Sequence, residues 1–125
     1  MKGCILIIVF FIAGCASMSA PRDPWTKTDT ALQVTYSALH IMDWSQTLHS
    51  ARNPEKYYET NPLLGSHPSE GRVNSMLALS LIAHTTVAYI LPKPYRGYWQ
   101  LFWMGVEVEA VKHNRAAGIG LSIHF

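Results

Sequence analysis

Histidines and carboxylates stand at helical spacing in three stretches of this chain, and they are the residues best suited to chemistry. On a helical wheel Gln33, Tyr36, His40, Asp43 and Thr47 follow the i, i+3, i+4, i+7 rule and fall within about 40° of His40. His84 shares a face with Ser80 in an otherwise apolar stretch. Gln100, Glu107 and Asn114 recur every seven residues, on the face that also carries Trp103. If the three stripes converge, His40, Asp43, His84, Glu107 and Asn114 form a buried polar network. Imidazole and carboxylate held together out of water can pass a proton or bind a divalent metal such as zinc or iron. The same residues fit a plainer arrangement. In that arrangement the first stripe is a solvated face, and His84 is a core histidine bonded to a backbone carbonyl or to Asp43.

The spacing does not favour a metal. Helical metal sites use Glu-x-x-His or His-Glu-x-x-His pairs, and neither occurs here. Glu109 and His113 are four apart, but with Lys112 they turn away from the Glu107 face. Nucleophilic catalysis has less support still, because there is no Gly-x-Ser-x-Gly elbow and no phosphate-cradling glycine loop. Ser80, His84 and Asp43 would make a triad only around an interior helical serine, which lacks the strained turn that builds an oxyanion hole. The expectation is a non-enzymatic chain with no metal and no catalytic residue.

Three helices have to position these stripes. Thr30 and Gln33 have capping-box spacing with Asp29 beside them, so the first helix is expected over 30–50 and is stopped by Asn53-Pro54. A long polar connection follows, with a turn at Asn61-Pro62-Leu63-Leu64-Gly65. The second helix is expected over 68–91, ended by Pro92 and Pro94. The third is expected over 97–116, with Gly118 as its C-terminal cap. Ile119, Leu121, Ile123 and Phe125 then alternate with Gly120, Ser122 and His124, a short extended tail. No other strand is in prospect to close a barrel. The fold class expected is all-α: a small three-helix bundle over residues 30–125.

The N-terminus has a separate signal. Lys2, the apolar run Ile5 to Ile12 and the small pair Ala13-Gly14 before Cys15 have the outline of an export signal. Ile12-Ala13-Gly14-Cys15 resembles the lipobox of bacterial lipoproteins. The resemblance implies cleavage of residues 1–14 and a diacylglycerol thioether with an N-acyl chain on Cys15, and it makes 15–29 a lipidated tether. Several acyl chains anchor stably where one does not. Cys4 would leave with the signal and Cys15 would carry the lipid, so no thiol would remain for a disulfide or a metal. Ala16 after the cysteine resembles lipoproteins sorted to the outer membrane, facing the periplasm, with the inner membrane as the other destination. The run Asp43 to Thr47, followed by Glu59-Thr60-Asn61-Pro62-Leu63-Leu64-Gly65, resembles small uncharacterised helical membrane-associated proteins of bacteria and phages. That resemblance brings no activity with it.

Composition leans the same way. The chain is 49% hydrophobic and 14% charged, well below the roughly 25% charged residues of soluble domains. Its net charge of +2 includes no polybasic run, so nucleic acid is not an expected partner; membrane lipid and an envelope protein are. The second helix balances near zero on an insertion scale: its strong apolar residues contribute about −3 to −4 kcal/mol, which Asn74, Ser80, His84, Thr85 and Thr86 offset. The first helix carries Asp43, at about +3 kcal/mol, and the third carries Glu107 and Glu109. Tyr95, Tyr98, Trp99, Phe102 and Trp103 beside Lys93 and Arg96 suit a headgroup layer or a core. The leading expectation is a lipid-anchored envelope protein with a structural or interaction role, its bundle resting on the membrane or dipping into it. The alternative is a small polytopic membrane protein with a buried polar site for a proton or a divalent metal.

Overall fold

The computed structural model describes residues 23–121 together with Ile123 and Phe125. The expected signal 1–14, the lipobox and Cys15 lie outside the described residues. The chain forms a bundle of three helices, α1 (Lys27–Arg52), α2 (Glu70–Ile90) and α3 (Lys93–Ala116), with no strand among the described residues. Helix α1 is the common partner. It packs most extensively along α3 and less along α2, while α2 and α3 touch each other least.

Helix α1 begins at Lys27 rather than at 30, because the capping box is built by Thr26 and Asp29 instead of Thr30 and Gln33. The Thr26 hydroxyl accepts from the Asp29 N–H at 3.1 Å, and Asp29 Oδ2 takes the Thr26 N–H at 2.8 Å. Two of the helix's unpaired amides are thereby satisfied. Thr30 is left to accept from Trp25 Nε1 at 2.9 Å. The helix stops at Asn53, whose side-chain amide donates to the His49 carbonyl at 2.8 Å.

Helix α2 is capped by Ser69, which accepts from the Arg72 N–H at 3.2 Å. Helix α3 begins at Lys93, not at 97. Pro94 does not hold the chain out of helix; it stands in the first turn of α3, where a missing N–H has no partner to lose. Leu91 and Pro92 alone reverse the chain between α2 and α3. Gly118, at φ +91°, closes α3. The Ile119 N–H donates to the Asn114 carbonyl and the Gly118 N–H to that of Arg115, both at 3.0 Å, which is the Schellman pattern. The tail then turns back on α1. Gln46 Nε2 donates to the Gly120 carbonyl at 3.2 Å, and Phe125 meets Trp44 edge-on with centroids 5.7 Å apart.

The connection between α1 and α2 folds on itself at Asn61, whose carbonyl accepts from the Leu64 and Gly65 N–H groups. This turn pushes Leu64 into a small apolar cluster with Leu48, Val73 and Leu77. Elsewhere, Ala88 and Ile119 apart, the buried side chains are largely polar or aromatic. Tyr36, His40, Arg96 and Gln100 are at most 1% exposed, whereas Leu79, Ile82, Leu101 and Phe102 on the outside are each more than half exposed. Among the described residues, α2 is the one helix long and apolar enough by itself to cross a membrane.

Candidate functional site

The polar residues of α1 and α3 face each other along the length of the bundle. The spacing of Tyr36, His40, Asp43 and Thr47 keeps them on one face of α1. Tyr36, His40 and Thr47 are buried there and Asp43 is half-buried, so this stripe is not a solvated face. Glu107 comes from the opposing face of α3. Its Oε1 lies 2.7 Å from His40 Nδ1, and His40 Nε2 is 2.9 Å from the Leu77 carbonyl of α2. A carbonyl can only accept, so Nε2 carries hydrogen. A contact of 2.7 Å between Nδ1 and a carboxylate oxygen also needs a proton between them, since two lone pairs at that distance repel. The pair therefore holds one mobile proton in either of two forms: imidazolium with carboxylate, or neutral imidazole with carboxylic acid.

One turn along α1, Asp43 Oδ1 accepts from Asn114 Nδ2 at 2.8 Å, again joining α1 to α3. His84 enters from α2 by stacking rather than by hydrogen bonding. Its ring lies on Tyr36, with centroids 3.5 Å apart at 18°, and against Trp99 at 5.6 Å. Neither His84 ring nitrogen has a hydrogen-bonding partner among the described residues. The Tyr36 hydroxyl is in turn 3.4 Å from His40 Nδ1. Two pairs, His40–Glu107 and Asp43–Asn114, thus carry the hydrogen bonding, and His84 adjoins them through Tyr36. Among the described residues no three His, Cys, Asp or Glu side chains group as metal ligands.

Both ends of this seam hold residues that sequence reasoning passed over. At the end where α1 starts, Arg96 is turned inward, although Lys93 and the aromatics around it suggested a headgroup position. Arg96 is 1% exposed, and its Nη1 donates to Asp29 Oδ2 at 3.0 Å. Its other donors reach the carbonyls of Asp23, Pro24, Ala88 and Leu91, and the guanidinium lies over the Trp25 ring. Next along the seam, Gln100 Nε2 donates to the Asp29 carbonyl at 3.3 Å. Arg96 stands one turn before Gln100 on the Glu107 face, and that spacing was the signal available in the sequence. The aromatic group around it divides: Tyr95, Tyr98 and Phe102 point outward, while Trp99 and Trp103 are half-buried.

At the other end lies a cavity of about 100 Å³, where the α1–α2 connection meets α1 and α3. Asp43, Thr47, Glu59, Asn61, His113 and Asn114 supply its polar lining together with Thr60, which is exposed at its mouth. Glu59 is fixed there because its Oε1 accepts from the Asn61 N–H at 2.7 Å. Chemically, the seam can store a proton on His40 and Glu107, with a second carboxylate, Asp43, between that store and the cavity. No family model matches the chain, and neither a curated protein nor a solved structure matches it.

Proposed function

We propose that this chain is an integral membrane protein whose three helices cross the bilayer together, and that its working part is the ionisable interior, which holds a proton on the His40–Glu107 pair. The observation that carries this reading is the inverted polarity of the bundle. A water-soluble bundle buries its apolar stripe and exposes its charges. Here Ile82 and Phe102 are 63% and 65% exposed while Arg96 and Gln100 are buried. In lipid the outward apolar residues are solvated by hydrocarbon, and inward polar groups bond across helices. Ionisable residues at membrane depth face the bundle interior and mark proton or ion sites. Helix α2 has 21 residues, a length of about 31 Å at 1.5 Å per residue against roughly 30 Å of hydrocarbon. Asp43 and Glu107 would burden α1 and α3 as lone spans, but in the bundle each has a partner on the facing helix.

Charge supports an orientation. Arg52, Lys56, Arg72, Lys112 and Arg115 all lie at the end holding the α1–α2 connection and the end of α3. The positive-inside bias puts that end in the cytoplasm and the start of α1 outside. The lipobox fits this orientation, because a lipid on Cys15 sits on the outer leaflet, the side from which α1 enters. In this reading the lipid and the spans share the inner membrane, and the anchor adds to the spans. The lipobox also favours a second reading, in which a lipid-anchored bundle rests on the surface and an envelope protein covers its apolar faces.

Purified protein in bilayer nanodiscs separates the two. With Cys4 and Cys15 replaced by Ser, single-cysteine variants Ile82→Cys and Phe102→Cys are expected to resist a charged maleimide while Lys56→Cys reacts. Rapid labelling of Ile82→Cys in the nanodisc would sink the membrane-spanning reading.

A further inference from the structure

We infer that the interior proton exchanges with water at one end of the bundle only, through Asp43 and the cavity beside the α1–α2 connection. This rests on the proton-holding reading above and adds an entrance, a carrier and a closed end. The entrance is the cavity of about 100 Å³, room for a few water molecules, and hydroxyl, amide, carboxylate and imidazole groups around it give each water several partners. The carrier is Asp43, which lines that cavity and stands one helical turn from His40 on the same face of α1. The charged and titratable groups around Asp43 are His40 on its own helix, Glu107 and His113 on α3, and Glu59 on the connection. From α2, His84 lies further along the seam. Arg72 and Glu70 are drawn off to the Leu63 carbonyl and to Arg52.

The opposite end is closed by two buried groups that accept no proton, Arg96 and Gln100. Arg96 fills the end of the seam where α1 starts. It is buried, and its five N–H groups are committed to five oxygen acceptors, one of them the Asp29 carboxylate that balances its charge. A guanidinium has no lone pair free to accept a proton, so it relays none. Behind it Gln100, fully buried, has a side-chain amide with no site that accepts a proton near neutral pH. A proton arriving from that side meets two buried side chains in turn that cannot take it up.

The relay moves only protons. Hydronium in the cavity gives its proton to the Asp43 carboxylate and leaves as water. The Asp43 carboxyl passes that proton to the second oxygen of Glu107 and returns to carboxylate. The proton already shared with His40 then rests on Nδ1, leaving an imidazolium beside a neutral carboxyl. Reversal of the steps carries a proton out by the same end.

The test uses the full chain in bilayer nanodiscs with ¹⁵N-labelled histidine, and reads the His40 ring nitrogens by NMR after a jump into deuterated buffer. Asp43→Asn keeps a partner for Asn114 but cannot carry a proton, and it is expected to slow His40 exchange at least about tenfold. A plug makes the same test without touching the seam. Thr60→Cys, with Cys4 and Cys15 replaced by Ser, is coupled to a bulky maleimide at the cavity mouth; exchange should slow, and the same label on Lys93→Cys should leave it unchanged. Unaltered exchange in Asp43→Asn, or equal slowing by both labels, would overturn the one-ended route. The proton-holding reading fails separately, if the wild-type His40 ring shows neither titration nor exchange across the accessible pH range.

Discussion

His40 and Glu107 illustrate how much a buried pair depends on both members. Each is almost fully buried, at 1% and 7% exposure, so removing His40 takes from Glu107 its hydrogen-bond partner, and removing Glu107 leaves His40 Nδ1 with only the Tyr36 hydroxyl at 3.4 Å. His40→Leu alone is expected to destabilise the bundle by about 3–5 kcal/mol, and His40→Leu combined with Glu107→Leu to recover most of that loss. Denaturant unfolding of the purified protein in lipid checks this; equal or additive losses in the double variant would show that the pair is not coupled. Asp29 has the same dependence on a smaller scale. One carboxylate caps α1 through Thr26 and anchors Arg96 of α3, so a helix start and a helix–helix contact share one side chain.

At the scale of elements, the ends of the helices decide how the stripes line up. Pro94 in the first turn of α3 and Gly118 just beyond its end are both backbone-special residues, but the structure makes different demands on them. Gly118 sits at φ +91°, which any side chain strains, while the position of Pro94 lacks an intrahelical acceptor for an N–H. Gly118→Ala is expected to lower stability by about 1 kcal/mol. Pro94→Ala should stay within about 0.5 kcal/mol of the parent. Parallel thermal melts in lipid give the comparison, and equal effects would mean that the turn at Gly118 is not what orients the tail. That tail is tied to α1, since Gln46 reaches the Ile119 and Gly120 carbonyls.

For the whole molecule, the distribution of polarity says more than any single residue. A charged substitution on an exposed face of a water-soluble bundle changes stability by no more than about 0.5 kcal/mol. The same substitution facing the bilayer centre costs about 2.5–3.5 kcal/mol. Ile82, mid-way along α2 and outward-facing, distinguishes the two media. Ile82→Lys is expected to abolish stable accumulation in membranes, whereas Ile82→Leu should leave it intact, as read by fractionation and alkaline carbonate extraction. Normal yields of a carbonate-soluble Ile82→Lys protein would mean that this face meets water. With much apolar surface turned outward, the apolar cluster among the described residues is a small one at the Leu64 end, and hydrogen bonds join α1 to α3 along the seam.

The sequence by itself determined which residues share a helical face, where Asn53-Pro54 and Gly118 end helices, and that Asn61-Pro62 makes a turn. These are properties of one stretch of backbone: a 3.6-residue period, a missing N–H, a glycine free to adopt positive φ. Two helix starts were misplaced, because Thr26 competes with Thr30 as a cap and a proline after a helix can open the next one. Whether the polar stripe points inward was not written locally, since a wheel shows that residues lie together but not what lies opposite. Tertiary structure decided that Glu107 faces His40 across α1 and α3, that His84 stacks without bonding, and that Arg96 turns inward to Asp29. Each of those contacts joins residues far apart in the chain, and each depends on how three helices pack and on which face the surrounding medium tolerates outside.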